Sequence, residues 1–212
     1  MSLVVWTYDW VPDGPRGFVR DLRLRWALEE AGLAYSVRST PFDERGPEHL
    51  KWQPFAQVPF LTDGEISIFE SGACLLHIAK KNERLMPSDA AGEAETLQWV
   101  VAALNSIEMV SVPWWFLSLS GDDENALTGW LRKRLDQLAE VLRDREWLVA
   151  SRFTVADLLM ADVLRVPKVR DFAASPVIDA YIDRACDRDA FRKAFADQLA
   201  HFQAADASRI GL

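Results

Sequence analysis

The sequence predicts an α/β domain followed by an all-α domain. Up to about residue 84, short β-prone runs alternate with helical patterns, and beyond about residue 92 the apolar spacing is helical almost to the end. A chain of 212 residues is long enough for two small domains. We therefore expect a first domain over residues 1–84, a linker over 85–91 and a helical domain over 92–212.

The first domain opens with the pattern of a parallel βαβ unit. Residues 3–8 are apolar and β-prone, which predicts a buried strand. Between Leu24 and Ala31 the apolar residues recur at helical spacing, and Gly32 is suited to end that helix. Residues 35–40 predict a second strand. Strand, helix and strand with this short crossover favour a right-handed parallel pair.

The remainder of the first domain predicts a short helix, a hairpin and a further helix. Residues 46–52 fit the short helix, and residues 60–62 and 66–69 fit two strands joined across the Asp-Gly pair at 63–64. A helix then begins near Glu70. The order β-α-β, α, β-β-α is that of a thioredoxin-like domain.

The predicted helical domain contains several amphipathic segments. A long helix precedes Pro113, which we expect to interrupt or kink it. Leucines at helical spacing predict another helix over 126–142. Thr154 and Asp157 have the spacing of a capping box, in which each side chain accepts a backbone N–H of the other residue.

Composition and charge exclude several classes of partner. Net charge is −8, from 24 basic and 32 acidic residues, and no segment concentrates the basic side chains that a nucleic-acid binder needs. The N-terminus lacks a signal-peptide pattern, and no run approaches the 18 apolar residues typical of a membrane span. We expect a cytoplasmic protein that binds neither nucleic acid nor a membrane.

The metal-binding and redox-active residue types are sparse and scattered. The two cysteines, Cys74 and Cys186, form no CxxC pair, which favours a reducing compartment. The three histidines share no ligand spacing with one another or with acidic residues. We therefore expect no metal site.

Two short segments carry the features of a small-molecule site. A proline directly after Val58, at the start of a strand, either begins that strand in trans or forms a cis bond that leaves the Val58 peptide groups open to a ligand. Ser71 at a helix N-terminus suits an anion, and Glu70 beside it suits a cationic amine. The pair is suited to the two ends of an α-amino acid, although a plain helix cap has the same composition.

Four segments, in this order, resemble the glutathione transferase superfamily: residues 25–33, 56–61, 70–73 and 153–157. The resemblance covers nearly the whole chain. It implies that Val58, before a cis Pro59, pairs with the cysteinyl backbone of glutathione, and that Glu70 and Ser71 hold the γ-glutamyl end. Gln57, immediately before Val58, is expected to touch the same ligand.

The resemblance fails at the catalytic position. Members of the superfamily place a Tyr, Ser or Cys near the end of the first strand, where it activates the glutathione sulfur. Here residues 11–20 contain neither Ser nor Cys, and Tyr8 is the nearest match. Its phenol is suited to stabilise a thiolate, although its strand position also allows it to point into the core. Thr7, Arg16, Arg20 and the backbone N–H groups of the loop are the alternatives.

We therefore expect an enzyme that binds glutathione and conjugates its thiol to an apolar electrophile. Nine tryptophans are an unusual number, and we expect Trp10 to contact glutathione and to line the electrophile pocket with Trp114 and Trp115. The resemblance also implies a homodimer. Two alternatives remain, a glutathione-dependent disulfide reductase and a non-catalytic binding protein with the same fold.

Overall fold

The structure is a computed structural model that describes residues 3–121 and 124–209. The described chain divides into two compact units. The first unit comprises the residues up to Asn82 together with those from Asp189 onward, and the second comprises Glu83–Arg188. The sequence-based division kept residues 92–212 together, whereas the last helix returns to the first unit because it packs along the helix that follows the first strand.

The first unit is built on a mixed four-stranded sheet with the order β2-β1-β3-β4. Its elements are β1 (Leu3–Tyr8), α1 (Asp21–Ala31), β2 (Tyr35–Thr40), α2 (Pro47–Trp52), β3 (Phe60–Asp63), β4 (Ile66–Phe69), α3 (Ser71–Ala79) and α10 (Asp189–Arg209). β1 runs parallel to β2 and antiparallel to β3, and β3 forms a hairpin with β4. The thioredoxin-like order predicted from the sequence is confirmed.

Alternation along β1 separates two faces of the sheet. Val5 and Thr7 are fully buried on the face covered by α1 and α3. Trp6 lies on the opposite face, where its ring stacks on Phe60 at a centroid distance of 5.1 Å. Tyr8 shares the face of Trp6, so it does not point into the core under α1.

Local sequence sets the ends of α1 and of the hairpin. Gly32 adopts a left-handed conformation with φ of 64°, and the N–H of Leu33 donates to the carbonyl of Leu28, closing the helix as a glycine C-cap does. Gly64, with φ of 63°, turns the chain between β3 and β4.

In the second unit, the regular elements that the described residues form are all helices. It contains α4 (Ala90–Ala102), a π-helical segment (Ala103–Glu108), α5 (Met109–Ser118), α6 (Thr128–Arg143), α7 (Val155–Leu164), α8 (Pro167–Ala173) and α9 (Pro176–Cys186). The predicted all-α domain is confirmed in class. Pro113 lies inside α5 and does not end it, so of the two effects expected at this residue the interruption is wrong and the kink stays a prediction.

The stretch Ala90–Ser118 is, by length and composition alone, long and apolar enough to cross a membrane. Sequence inspection missed it because Asn105 and Glu108 interrupt the apolar run, whereas the mean hydropathy over 18 residues stays high. The core helix of a globular domain passes the same test, so this finding is weak evidence for a membrane segment.

The capping box at the start of α7 is present as predicted. The backbone N–H of Thr154 donates to the Asp157 carboxylate at 2.9 Å, and the Thr154 hydroxyl accepts from the N–H of Ala156 at 3.3 Å. Both polar residues are fully buried, which places this box in the core of the second unit.

Candidate functional site

The sheet brings the segments singled out in the sequence to one end. Trp6 of β1 pairs with Phe60 of β3 in an antiparallel register. Tyr8, the last residue of β1, lies two positions beyond Trp6, so it lies level with Val58, two positions before Phe60. β4 pairs Phe69 with Phe60, so Glu70 follows β4 at this same end.

The Val58–Pro59 peptide bond is cis, as the family resemblance implies. Pro59 is buried, Val58 is half-buried and Gln57 is exposed. Ala56 precedes this segment with a φ of 55°, a left-handed conformation that an L-residue adopts only where its surroundings impose it. The Val58 peptide therefore lies at the surface beside a buried proline, open to pairing with an extended ligand.

His49, considered from the sequence only as a metal ligand, hydrogen-bonds the backbone of the segment that contains Val58 and Pro59. It is buried, and its Nε2 donates to the carbonyl oxygen of Gln57 at 2.8 Å. Its Nδ1 lies 2.9 Å from the Thr40 hydroxyl. Because a carbonyl oxygen only accepts, Nε2 carries a proton and is the donor to Gln57. His49 thus joins the end of β2 to the residue before Val58, a link between distant residues that no local pattern signals.

Glu70 and Ser71 form the start of α3. Glu70 is exposed and has a φ of 69°, a strained conformation of the kind that clusters at functional sites. Ser71 is buried, and its hydroxyl accepts a hydrogen bond of 3.0 Å from the guanidinium of Arg23. Its own proton can then be donated to a further oxygen, such as that of a carboxylate. The positive end of the α3 dipole adds to the attraction for an anion.

Tyr8 is half-buried and surrounded by aromatic and cationic groups. Its ring packs edge-on against Phe42 at 5.3 Å, and the guanidinium of Arg45 lies 4.8 Å from the ring centroid. Burial raises the pKa of the Tyr8 phenol, and the charge of Arg45 partly opposes this effect. The phenol is therefore protonated at neutral pH and is suited to donate a hydrogen bond.

Two of the predicted residues, Trp10 and Arg16, lie in the loop after β1 and bond other groups of the protein. The indole Nε1 of Trp10 donates to Asp206 at 2.8 Å. Arg16 donates to both carboxylate oxygens of Asp206, at 2.8 and 2.6 Å, and to the carbonyl of Val11. Thr7, another alternative thiol partner, is fully buried. Arg20, the remaining side chain among the alternatives, is half-buried.

The two tryptophans predicted for the electrophile pocket differ in exposure. Trp114 is 1% exposed, its Nε1 donates to the Thr128 hydroxyl at 3.2 Å, and its ring packs on Phe172. Trp115 is half-buried and packs against the exposed ring of Phe116. Of the two, Trp115 has the surface to meet a ligand.

The cysteines and metal-ligating residue types form no reactive site in the described residues. Across 3–121 and 124–209, no three His, Cys, Asp or Glu side chains come together as a metal site would need. Burial raises the pKa of both Cys74 and Cys186 to about 12, so neither thiol ionises at neutral pH.

Comparison with known proteins identifies the family. The family model described as "Glutathione S-transferase, N-terminal domain" matches residues 14–80, and that described as "Glutathione S-transferase, C-terminal domain" matches residues 121–189. The chain belongs to the glutathione S-transferase family. The chain is 32% identical to Glutathione S-transferase 1 of Zea mays, over 75% of its own length and 80% of the relative's.

Two further comparisons agree with this assignment. Glutathione S-transferase 1 of Schizosaccharomyces pombe is 32% identical, and the match covers 62% of the present chain and 64% of the yeast protein. The solved structure of glutathione S-transferase-I with lactoylglutathione superposes with a TM-score of 0.75 at 25% identity, covering 92% and 99% of the two chains. The glutathione transferase superfamily suggested by the sequence motifs is confirmed.

Proposed function

We propose that this protein binds glutathione in its first unit and conjugates its thiol to an apolar electrophile, forming a carbon–sulfur bond as the thiol loses its proton and the electrophile loses a leaving group such as chloride. The observation that carries the proposal is the placement of the cis Val58–Pro59 peptide and the Glu70–Ser71 pair at one end of the sheet, with Tyr8 ending the strand beside them. The names of the related enzymes, and the glutathione derivative held by one of them, support the same ligand.

Each part of glutathione has a group of matching chemistry. The backbone N–H and C=O of Val58 pair with the cysteinyl peptide of glutathione. The exposed side-chain amide of Gln57 contacts the neighbouring part of the glutathione backbone. The Glu70 carboxylate attracts the γ-glutamyl ammonium. Ser71 and the α3 N-terminus receive the γ-glutamyl carboxylate.

The Tyr8 phenol supplies the hydrogen bond to sulfur. A protonated phenol stabilises a thiolate more than a thiol, so a donor at this position lowers the pKa of bound glutathione. Holding both reactants in one site then raises their effective concentration. Trp10 lies two residues beyond Tyr8 and presents apolar surface next to the sulfur. The half-buried Trp115 stays a predicted electrophile contact.

Disulfide reduction is the second candidate reaction. Residues 9–20 offer no hydroxyl or thiol side chain, and both protein thiols stay protonated at neutral pH. Such a site suits a reaction in which glutathione supplies all the sulfur chemistry. Two glutathione thiols would reduce a small disulfide to two thiols and leave as glutathione disulfide.

Calorimetric titration with glutathione tests the proposed site. Glu70→Ala and Ser71→Ala are expected to weaken binding at least tenfold, because each removes a charged or charge-assisted contact worth about 1.5–3 kcal/mol. Glu65→Ala and Ser67→Ala, which alter exposed residues on the same hairpin, are the matched controls. Equal affinity in all four variants would refute the site.

Absorbance and activity measurements then separate the reactions. A thiolate band for bound glutathione at neutral pH supports conjugation, and its absence from a saturated complex contradicts that mechanism. Comparing the turnover of chlorodinitrobenzene with that of a small disulfide shows which of the two candidate reactions the protein favours. Binding without either turnover would indicate a non-catalytic protein.

We also propose that the protein acts in the cytoplasm as a homodimer.

A further inference from the structure

One face of α10 contacts the loop formed by residues 9–20. Gln198 and Asp206 bond residues of this loop, and His201 bonds the carbonyl of Tyr8, which immediately precedes it. Phe195 also lies against the loop, with a ring carbon 2.6 Å from the position that a Cβ on Gly17 would occupy. The last helix therefore meets the loop that follows β1 along more than three turns.

Gln198 bonds the loop backbone with both ends of its amide. Its side chain is fully buried. Its Oε1 accepts from the N–H of Gly17 at 3.1 Å, and its Nε2 donates to the carbonyl of Val19 at 2.9 Å and to the Asp21 carboxylate at 2.5 Å. Only an amide supplies an acceptor and donors in this arrangement, so Gln198 specifies the backbone course between Gly17 and Asp21.

Asp206 fixes the other end of the loop. Its carboxylate accepts from the Trp10 indole at 2.8 Å and takes a bidentate ion pair from Arg16. Arg16 also donates to the Val11 carbonyl at 3.1 Å, so the pair ties two separate points of the loop to one carboxylate. Hydrogen bonds from Arg16 and Trp10 lower the pKa of Asp206 to about 2, which keeps it ionised at neutral pH.

His201 extends this contact to the end of β1. Its Nε2 donates to the carbonyl oxygen of Tyr8 at 2.9 Å. The backbone of the proposed catalytic residue is thus held by the same helix that holds Trp10 and Gly17.

We infer that α10 is a positioning element for thiol activation, in which Gln198 and Asp206 fix the loop that presents Trp10 and the loop N–H groups to the glutathione sulfur, and His201 holds the backbone of Tyr8 beside that loop. This inference rests on the proposed function. Neither residue is assigned a contact with substrate. Gln198 and Asp206 determine the positions of the activating groups. Removing either side chain is therefore expected to lower the turnover rate more than the affinity for the γ-glutamyl end of glutathione.

Asp206→Ala tests the inference, with Gln203→Ala as the matched control. Gln203 is an exposed polar residue on the same turn of α10. We expect Asp206→Ala to lower kcat about tenfold and to raise the pKa of the bound glutathione thiol, with the Kd of glutathione within about twofold of wild type. Asp206→Glu, which keeps the carboxylate, is expected to recover part of the lost turnover. Gln203→Ala is expected to match wild type.

Hydrogen exchange of the ligand-free protein gives an independent readout. Amides in residues 9–20 are expected to exchange about tenfold faster in Asp206→Ala, while amides of β3 and β4 are unchanged. Unchanged exchange in the loop overturns the inference whether or not glutathione binds. Faster exchange with unchanged turnover and thiol pKa also overturns it, because the contact is then only structural. A wild-type protein that does not bind glutathione overturns the proposed function and the inference with it, and the exchange data still report whether α10 orders the loop.

Discussion

Arg23 on α1 donates a hydrogen bond of 3.0 Å to the hydroxyl of Ser71 at the start of α3. Both side chains are buried, with 3% and 6% of their surface exposed. A guanidinium cannot lose its proton in the folded protein, so this contact delivers a permanent positive charge to the helix N-terminus. The proposed carboxylate site at Ser71 is therefore supported by the positive charge of Arg23 on α1.

Arg23→Met is expected to weaken glutathione binding about tenfold. The substitution keeps an unbranched apolar stem but removes the charge and the donor to Ser71, a loss of about 1.5 kcal/mol in the affinity for a carboxylate. Calorimetry with glutathione measures the change, and Arg38→Met, which removes an exposed arginine of β2, is the control.

A double-mutant cycle with Ser71→Ala decides whether the two residues act together. If Arg23 works through the Ser71 hydroxyl, the double variant loses less affinity than the two single variants combined. Fully additive losses would contradict this coupling. Melting temperatures of the three variants identify any general loss of stability, since Arg23 is buried.

Gly17→Ala is expected to destabilise the protein by about 1–3 kcal/mol. Gly17 has a φ of 80°, which costs an alanine about 1 kcal/mol, and the added Cβ would lie 2.6 Å from a ring carbon of Phe195. Urea denaturation measures the loss. In the background of Phe195→Ala the clash disappears, so the remaining cost of Gly17→Ala should fall to the backbone contribution alone. An equal cost in both backgrounds would show that α10 does not press on the loop.

Tyr8→Phe is expected to lower kcat about tenfold or more and to raise the pKa of the bound thiol. The substitution removes a single hydrogen bond to a developing charge, worth about 1.5–3 kcal/mol, and keeps the ring between Phe42 and Arg45. Tyr35→Phe is the control, because the Tyr35 hydroxyl bonds Glu29 on α1. Unchanged turnover in Tyr8→Phe would leave the loop N–H groups and Arg20 as the thiol partners.

Phe55→Ser is expected to dissociate the proposed homodimer. Phe55 is 65% exposed, and its ring centroid lies 6.3 Å from that of the exposed Phe69, so the two rings form an exposed apolar surface of the kind that protein contacts use. Sedimentation velocity measures the change in mass. Leu119→Ser, which alters an apolar residue 64% exposed in the second unit, is expected to stay dimeric. A wild-type monomer would contradict the dimer itself.

Local patterns predicted the elements of the first unit because each one is set by neighbouring residues. The Asp63–Gly64 pair gave the hairpin, and Gly32 gave the end of α1. The Val58–Pro59 bond could be assigned as cis only through the family resemblance, since a proline at a strand start is compatible with either isomer.

Long-range contacts could not be predicted from the same patterns. Gln198 lies 181 residues beyond Gly17, and nothing in its helical spacing indicates that it bonds that loop. The burial of Trp114 was missed for a related reason: successive tryptophans fall on different sides of a helix, and which side is buried depends on packing partners such as Phe172.

Asp157 makes the stability of the protein depend on pH. Its carboxylate is fully buried and accepts hydrogen bonds from the N–H groups of Leu148 and Thr154 and from the Tyr181 hydroxyl. Burial raises its pKa to about 6, and these hydrogen bonds only partly oppose the effect. In the unfolded chain the pKa returns to about 4.

The folded state therefore binds more protons at Asp157 than the unfolded state between about pH 4 and pH 6, so this group lowers the free energy of unfolding as pH rises through that window, by about 3 kcal/mol in total. Asp157→Asn removes the titration and leaves at least one backbone N–H without its acceptor, so the variant is less stable than wild type throughout. The difference should be largest near pH 4 and smallest near pH 7. Urea denaturation at both values measures it, with Asp136→Asn, which alters an exposed carboxylate of α6, as the control. A difference that stays constant with pH would mean that Asp157 ionises at its ordinary pKa despite its burial.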